Sequence, residues 1–171
     1  MRKALFILVV ALVAAVGFFF PFFITRSSPI SFPTDKLVVV GPYGEFQANE
    51  GVNINQEDLL AKVQKAQVVN RNTFSNSNFV LGAVISSKEL ILLGQTPDGS
   101  WYKTNVTVGY FQQVDSLSIS SQDPKVIVYT VGGNTGNTLF WGLMSLGGGI
   151  ILILLSSISD ASRKDLNRAT T

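Results

Sequence analysis

The chain contains no cysteine and no histidine among its 171 residues. Without cysteine there is no disulfide framework, no thiolate nucleophile and no iron–sulfur cluster. Without histidine the imidazole base is missing, and with it the Ser-His-Asp triad and the usual zinc sites. The lack of disulfides weighs against a eukaryotic extracellular module of the stapled kind. It fits a prokaryotic surface, or a core large enough to stand unaided. Charge is scarce as well: Asp, Glu, Lys and Arg make up 14% of the chain, with a net charge of +2. The basic excess sits at the ends, in Arg2, Lys3, Arg163, Lys164 and Arg168, while residues 26–137 hold 8 basic and 9 acidic side chains. A segment this close to neutral has no field to hold a phosphate backbone, so no nucleic-acid partner is expected.

What the chain has in abundance is apolar sequence, at 46% of its residues. Two runs carry no charge: Ala4 to Ile24 and Leu139 to Ile158. At about 1.5 Å rise per residue, each as a helix matches the roughly 30 Å of a bilayer's hydrocarbon core. A cleaved signal peptide is the competing reading of the first run. Met1-Arg2-Lys3 suits it, but the run is long and ends in aromatics around Pro21 instead of a small-x-small cleavage site. A buried soluble helix competes for the second run, whose Gly147-Gly148-Gly149 would weaken such a helix. The basic flanks place both termini in the cytoplasm. The expected layout is a first transmembrane helix in 1–25, an extracytoplasmic domain in 26–137, a second transmembrane helix in 138–158 and a cytoplasmic tail in 159–171. The expectation is an integral membrane protein, in the plasma membrane, with the lipid bilayer and other membrane-protein subunits as partners.

Both runs carry small residues at helical spacing, Ala11 with Ala15 and Ser145 with Gly149. In an antiparallel hairpin these fall at matching depth, where small residues let backbones approach closely. They either pack against each other, which is the expectation here, or dock the helix of a partner.

Between the runs the signals are mostly those of strands. Short apolar stretches at 36–40, 79–85, 89–93 and 125–131 are separated by turn residues. Ser86-Ser87-Lys88 and Pro97-Asp98-Gly99 read as turns. Residues 101–110 alternate, with Val106, Val108 and Tyr110 on one face. Val114, Leu117 and Ile119 mark a further strand, with a helical turn as the competing reading of 111–117. One helix is expected after Asn55: Glu57 and Asp58 suit its first turn, and Leu59, Leu60, Val63 and Ala66 form a stripe. The segments 27–33 and 132–138 read as linkers, and the polar run 70–78 as an exposed loop. The expected fold class is a membrane-anchored α+β domain, a mostly antiparallel sheet with one helix, flanked by the two transmembrane helices.

No spacing marks a catalytic centre. Glu57 with Asp58, and Asp115 with Asp123, are acidic pairs without the placement acid–base chemistry requires. Ser86-Ser87-Lys88 would be the source of a Ser-Lys dyad, yet it reads as a turn. No cofactor or metal is expected, since Asn53-x-Asn55-x-Glu57 reads as a helix cap, not an EF-hand loop. Asn105-Val106-Thr107 matches the N-glycosylation acceptor pattern. Trp101, Tyr102, Tyr110 and Phe111 lie near turns, where amphipathic aromatics serve either a core or an interface. The leading functional expectation is a non-catalytic accessory, assembly or scaffold subunit of a membrane protein complex. A ligand-binding or sensing module is the alternative, and an enzyme the third.

Overall fold

Stretches such as Leu37–Val40 and Leu90–Gln95 are aliphatic and β-branched, and the turn residues between them break the chain into short strands. The computed structural model describes residues 6–7, 9–12, 25–86, 89–134, 136–137, 139–144, 146–151, 154–155 and 158. They fall in two compact units, Ile24–Gly133 and Met1–Phe23 with Asn134–Thr171. The first unit runs β1 (Arg26–Ser31), β2 (Leu37–Val40), β3 (Phe46–Ala48), α1 (Gln56–Lys65), β4 (Gln67–Val68), α2 (Arg71–Asn76), β5 (Leu81–Ser86), β6 (Leu90–Gln95), β7 (Trp101–Val106), β8 (Gln112–Ile119) and β9 (Val126–Gly133).

The strands form two sheets. One has six strands in the order β3-β2-β5-β6-β7-β4, the other three in the order β1-β9-β8. The larger sheet is mixed, because β2 runs parallel to β5 and β4 parallel to β7. The smaller one is antiparallel throughout. β2 and β5 are buried along their whole length, which explains why both read as near-continuous apolar runs. One face of the large sheet, with Val38, Val40, Ala83, Ile85 and Leu93, packs on Leu59 and Ala66. The other face, with Val39, Val84 and Leu92, packs on Val114, Leu117 and Ile127 of the small sheet and on the ring cluster Phe32, Phe74 and Phe79. The unit is thus three layers: α1, the large sheet, and the small sheet with α2 beside it.

Local chemistry fixes the elements. Asn55 Oδ1 accepts from Asp58 N–H at 2.7 Å, starting α1. Lys103 on β7 donates from Nζ to Val63 C=O at 2.6 Å, meeting one of the carbonyls that the last turn of α1 leaves open. Lys103→Met keeps the apolar stem and deletes this bond. It is expected to lower stability by about 1 kcal/mol, read as a lower urea midpoint of the full chain. At the β6–β7 turn Gly99 takes φ +86°, a conformation that L side chains rarely adopt. Beside it, Ser100 Oγ donates to Asp98 Oδ2 at 2.6 Å. That bond, with a second from Thr96, holds the Asp98 carboxyl below its ordinary pKa. The turn therefore gains from Asp98 above the unfolded carboxylate pKa, and loses that gain as pH falls through the folded one.

Ser86 closes β5 with a buried side chain, 5% exposed, whose Oγ has no hydrogen-bond partner among the described residues. A buried unpaired hydroxyl costs roughly 1–3 kcal/mol. Ser86→Ala removes that cost and is expected to raise the thermal midpoint of the chain, by the equivalent of about 1 kcal/mol in calorimetry.

The fold departs from expectation in several places. No helix among the described residues is long and apolar enough to cross a membrane. α1, the longest with defined ends, has 10 residues, about 15 Å of rise, half a bilayer's hydrocarbon thickness. The expectation of two flanking transmembrane helices is overturned. So are the integral plasma-membrane location and the cytoplasmic and extracytoplasmic assignments that rested on those helices. Most of 4–24, including Ala15, together with Ser145 and the tail 159–171, lies outside the described residues. The supposed linker 27–33 is largely β1, which completes the small sheet by pairing with β9. The supposed loop 70–78 holds α2, started by Asn70 Oδ1 accepting from Thr73 N–H at 2.7 Å and pinned by buried Phe74.

In the second unit the described residues are mostly helical and their large apolar side chains are exposed. Phe140, Trp141, Leu143, Met144, Ile150 and Leu154 each show about half or more of their surface, from 46% to 68%. Gly149 lies against the other chain segment of this unit: a Cβ there would sit 3.2 Å from Val10 Cγ1.

Candidate functional site

The free edge of β1 is defined by its register. Phe32 N–H donates to Lys125 C=O at 2.9 Å, and β1 pairs with β9 in the same register, Ile30 opposite Ile127 and Ser28 opposite Tyr129. In an antiparallel pair, backbone groups alternate between facing the partner and facing away. Even-numbered residues therefore bond β9, and Ser27, Pro29 and Ser31 turn their backbone groups outward. Pro29 has no N–H, so it stands where a strand loses least, on an outer edge. The outward groups that remain include the N–H and C=O of Ser31 and the C=O of Pro29.

Across from this edge stands α2. β8 lies over β2 and β5, and α2 packs on β7. The helix thus occupies the position that a further strand beyond β1 would take. Between β1 and α2 is a cleft of about 190 Å3 lined by Pro29, Ser31, Phe32, Arg71, Phe74 and Leu92, among others. Phe32, Phe74 and Leu92 beneath it are almost wholly buried, so the surface it presents is mostly polar; Phe32 meets Phe74 edge-on at 6.2 Å. Its rim carries the Arg71 guanidinium, which has no hydrogen bond or ion pair with any described residue. Ser75, one turn on from Arg71, lines the same wall.

The aromatics expected at turns divide into two pairs. Trp101 and Tyr102 are half-buried on opposite faces of β7, Trp101 against the α1 layer and Tyr102 against the other core. Tyr110 and Phe111 are 64% and 40% exposed, with rings edge-to-face at 5.2 Å. They precede β8 at the end of the small sheet where Gln112 pairs with Gly133 and Arg26 with Val131, the end at which the chain enters and leaves the unit. Asn105 is exposed on β7, its Nδ2 donating to the Glu89 carboxylate at 3.0 Å. Ala11 is exposed in a helical segment, and Gly149 is the member of the small-residue set seen in contact.

The candidate catalytic groups stay apart. Asp115 lies at a bulge of β8 opposite the Val131 end of β9, while Asp123 bonds Lys125 N–H in the turn at the other end. Glu57 and Asp58 are exposed in the first turn of α1. Ser87 and Lys88 lie outside the described residues. Among the described residues no three acidic side chains converge where a metal ion would sit.

The cleft was missed in sequence because Arg71 and Phe74 sat in a run read as loop. The signal was present: Asn70 as a cap, followed by one large apolar residue in polar surroundings. No protein-family model, no curated protein and no solved structure matches the chain.

Proposed function

We propose that this chain is a non-catalytic accessory subunit that assembles with a partner protein through its apolar helical unit. The observation that carries this reading is the exposure of Phe140, Trp141, Leu143, Met144, Ile150 and Leu154 in one unit. Folded chains seldom leave such residues uncovered together, and contiguous exposed apolar surface marks a site of association. The absence of any charge between 139 and 158 makes an apolar helix of the partner the matching occupant, since a charged partner would be desolvated without compensation. The rings of Tyr110 and Phe111 add a smaller aromatic surface of the type that interfaces favour.

Native purification after crosslinking in the source cells tests this. The expected result is a particle well above the chain's own 18.5 kDa, containing a second polypeptide crosslinked within 139–158. A strictly monomeric particle overturns the reading. So does a chain that floats with phosphatidylcholine vesicles and brings no protein with it.

A binding role for the sheet unit is favoured by the β1–α2 cleft. Its volume, about 190 Å3, is below the roughly 300 Å3 at which small-molecule pockets begin. It therefore suits a single functional group of a larger ligand better than a whole metabolite.

A further inference from the structure

We propose that Asp98 is a covalent modification site kept silent by the folded β6–β7 turn, its carboxyl closing on the Gly99 amide to give an isoaspartyl linkage once the hairpin opens. The inference stands apart from the accessory-subunit reading. Asp98-Gly99 is the one place in the sequence where an Asp or Asn precedes a glycine. Glycine has no Cβ, so nothing at residue 99 hinders the approach of its nitrogen to the neighbouring side chain. Both residues are exposed at the tip of the turn, open to water, the co-reactant that the chemistry needs.

The reaction balances with water alone. The Gly99 nitrogen attacks Cγ of the protonated Asp98 carboxyl. An N–Cγ bond forms, the bond from Cγ to the hydroxyl breaks, and the hydroxyl leaves as water with the amide proton. The product is a five-membered succinimide. Water then adds to one of its two carbonyls. Addition at Cγ restores aspartate. Addition at the main-chain carbonyl breaks the bond from that carbonyl to nitrogen and routes the chain through Cβ and Cγ, which is isoaspartate. The net change is an isomerisation at constant mass.

The folded turn opposes each requirement. Pro97, Asp98 and Gly99 form a three-residue loop closed by Thr96 N–H donating to Ser100 C=O at 3.0 Å. The Gly99 N–H, whose proton must leave, donates to Thr96 C=O at 2.9 Å. Ser100 Oγ donates to Asp98 Oδ2 at 2.6 Å and so holds the carboxyl on the Ser100 side. The same bond favours the ionised carboxylate, from which water cannot leave. Ring closure has to break both hydrogen bonds. The product then keeps the mark. An isoaspartyl residue adds one backbone atom between Gln95 and Trp101, which pair across the turn. Loop length fixes hairpin register, so the modified turn no longer fits the native pairing, and the opening of the hairpin is recorded in the chain.

The test stores the purified full chain at neutral pH, folded in buffer or unfolded in urea, and follows the peptide holding Asp98 by chromatographic mapping. An isoaspartyl-specific carboxyl methyltransferase with a labelled methyl donor gives a second readout. Isoaspartate at position 98 is expected to form at least about tenfold faster in urea than in buffer, since the folded chain reacts only while its turn is open. Ser100→Ala, its fold checked by circular dichroism, is expected to react severalfold faster than wild type in buffer and at the wild-type rate in urea. The peptide spanning Asp123-Pro124 is the internal blank, because proline has no N–H to lose.

Asp98→Asn carries the test if Ser100→Ala fails to fold. Its side-chain amide loses ammonia without prior protonation, so a slower rate in buffer than in urea reads the restraint on the Gly99 backbone. Equal rates in buffer and urea, for wild type or for Asp98→Asn, overturn the proposal. So does a folded Ser100→Ala that reacts no faster than wild type in buffer, and so does a chain that stays unmodified at Asp98 in urea.

Discussion

Phe74→Ala is expected to destabilise the sheet unit by about 3–5 kcal/mol, the range for deleting a buried phenylalanine ring. Phe74 is 4% exposed. Its ring lies 4.7 Å from that of Phe79 and 6.2 Å from that of Phe32, within the span where aromatic pairs add to simple burial. The ring is also what holds α2. A helix of six residues is far below the length that stands alone in water, and its cap at Asn70 supplies only about 1 kcal/mol. At roughly 0.05–0.15 kcal/mol per residue, the expected loss is a large share of what a unit of this size has. Urea unfolding of the full chain gives the magnitude, and Phe74→Leu, which retains apolar volume, is expected to lose roughly half as much. Hydrogen exchange gives the location. The amides of α2 are expected to open first while those of β5 and β6 stay protected. A loss below about 1 kcal/mol would mean that the three rings do not anchor the helix.

Much of the large sheet and β9 of the small one were legible, because these strands carry their own signals. The β5–β6 hairpin, the Gly99 turn and the strands at 37–40 and 126–133 follow directly from apolar runs between turn residues. α1 was readable for the same reason: its cap, its acidic first turn and its buried Leu59 are all local. Leu60 is the exception within it, 42% exposed at the margin of the stripe. What failed was whatever depends on distant pairing. β1 carries two serines and a proline before Ile30, and reads as a linker until β9 supplies its hydrogen bonds. β8 was ambiguous between strand and helical turn because Val114 and Leu117 are three apart. The ladder shifts register between Val114 and Ser116. That extra residue turns both buried side chains to one face, which a regular strand cannot do at this spacing. The transmembrane expectation failed for a different reason. It used hydropathy over about 20 residues, whereas no helix among the described residues is long and apolar enough to cross a membrane. The cleft was the least visible feature, since its walls come from β1 and α2, the two elements whose local sequence is polar.

Gly94→Ala is expected to destabilise the chain by about 2 kcal/mol, against the ordinary trend. An alanine in place of a strand glycine normally helps by roughly 0.5–1 kcal/mol, through backbone entropy. At position 94 the added Cβ would lie 2.5, 2.6 and 2.7 Å from three atoms of the Phe79 ring. Phe79 is 3% exposed and has the Phe74 ring on another side, so it cannot swing clear. Overpacking of this kind costs about 1–3 kcal/mol and exceeds the entropic gain. The neighbour across the ladder is again a glycine, Gly82, paired with Gly94, where an added Cβ would lie 2.5 Å from Phe32 Cδ1 and 2.8 Å from Leu37 Cδ2. Together the two make a trough across the middle of the large sheet, and the ring cluster lies in it. The sharpest check is a sign reversal. Phe79→Leu is expected to destabilise the wild-type chain by opening a void, yet to recover part of the loss when made in Gly94→Ala. Because the two sites touch, their effects should depart from additivity by about 0.5–3 kcal/mol in a double-mutant cycle of urea midpoints. If Gly94→Ala instead raised stability, Phe79 would have to leave the trough at little cost, and the account of how Phe32, Phe74 and Phe79 hold the β1 side of the small sheet to the large one would fall.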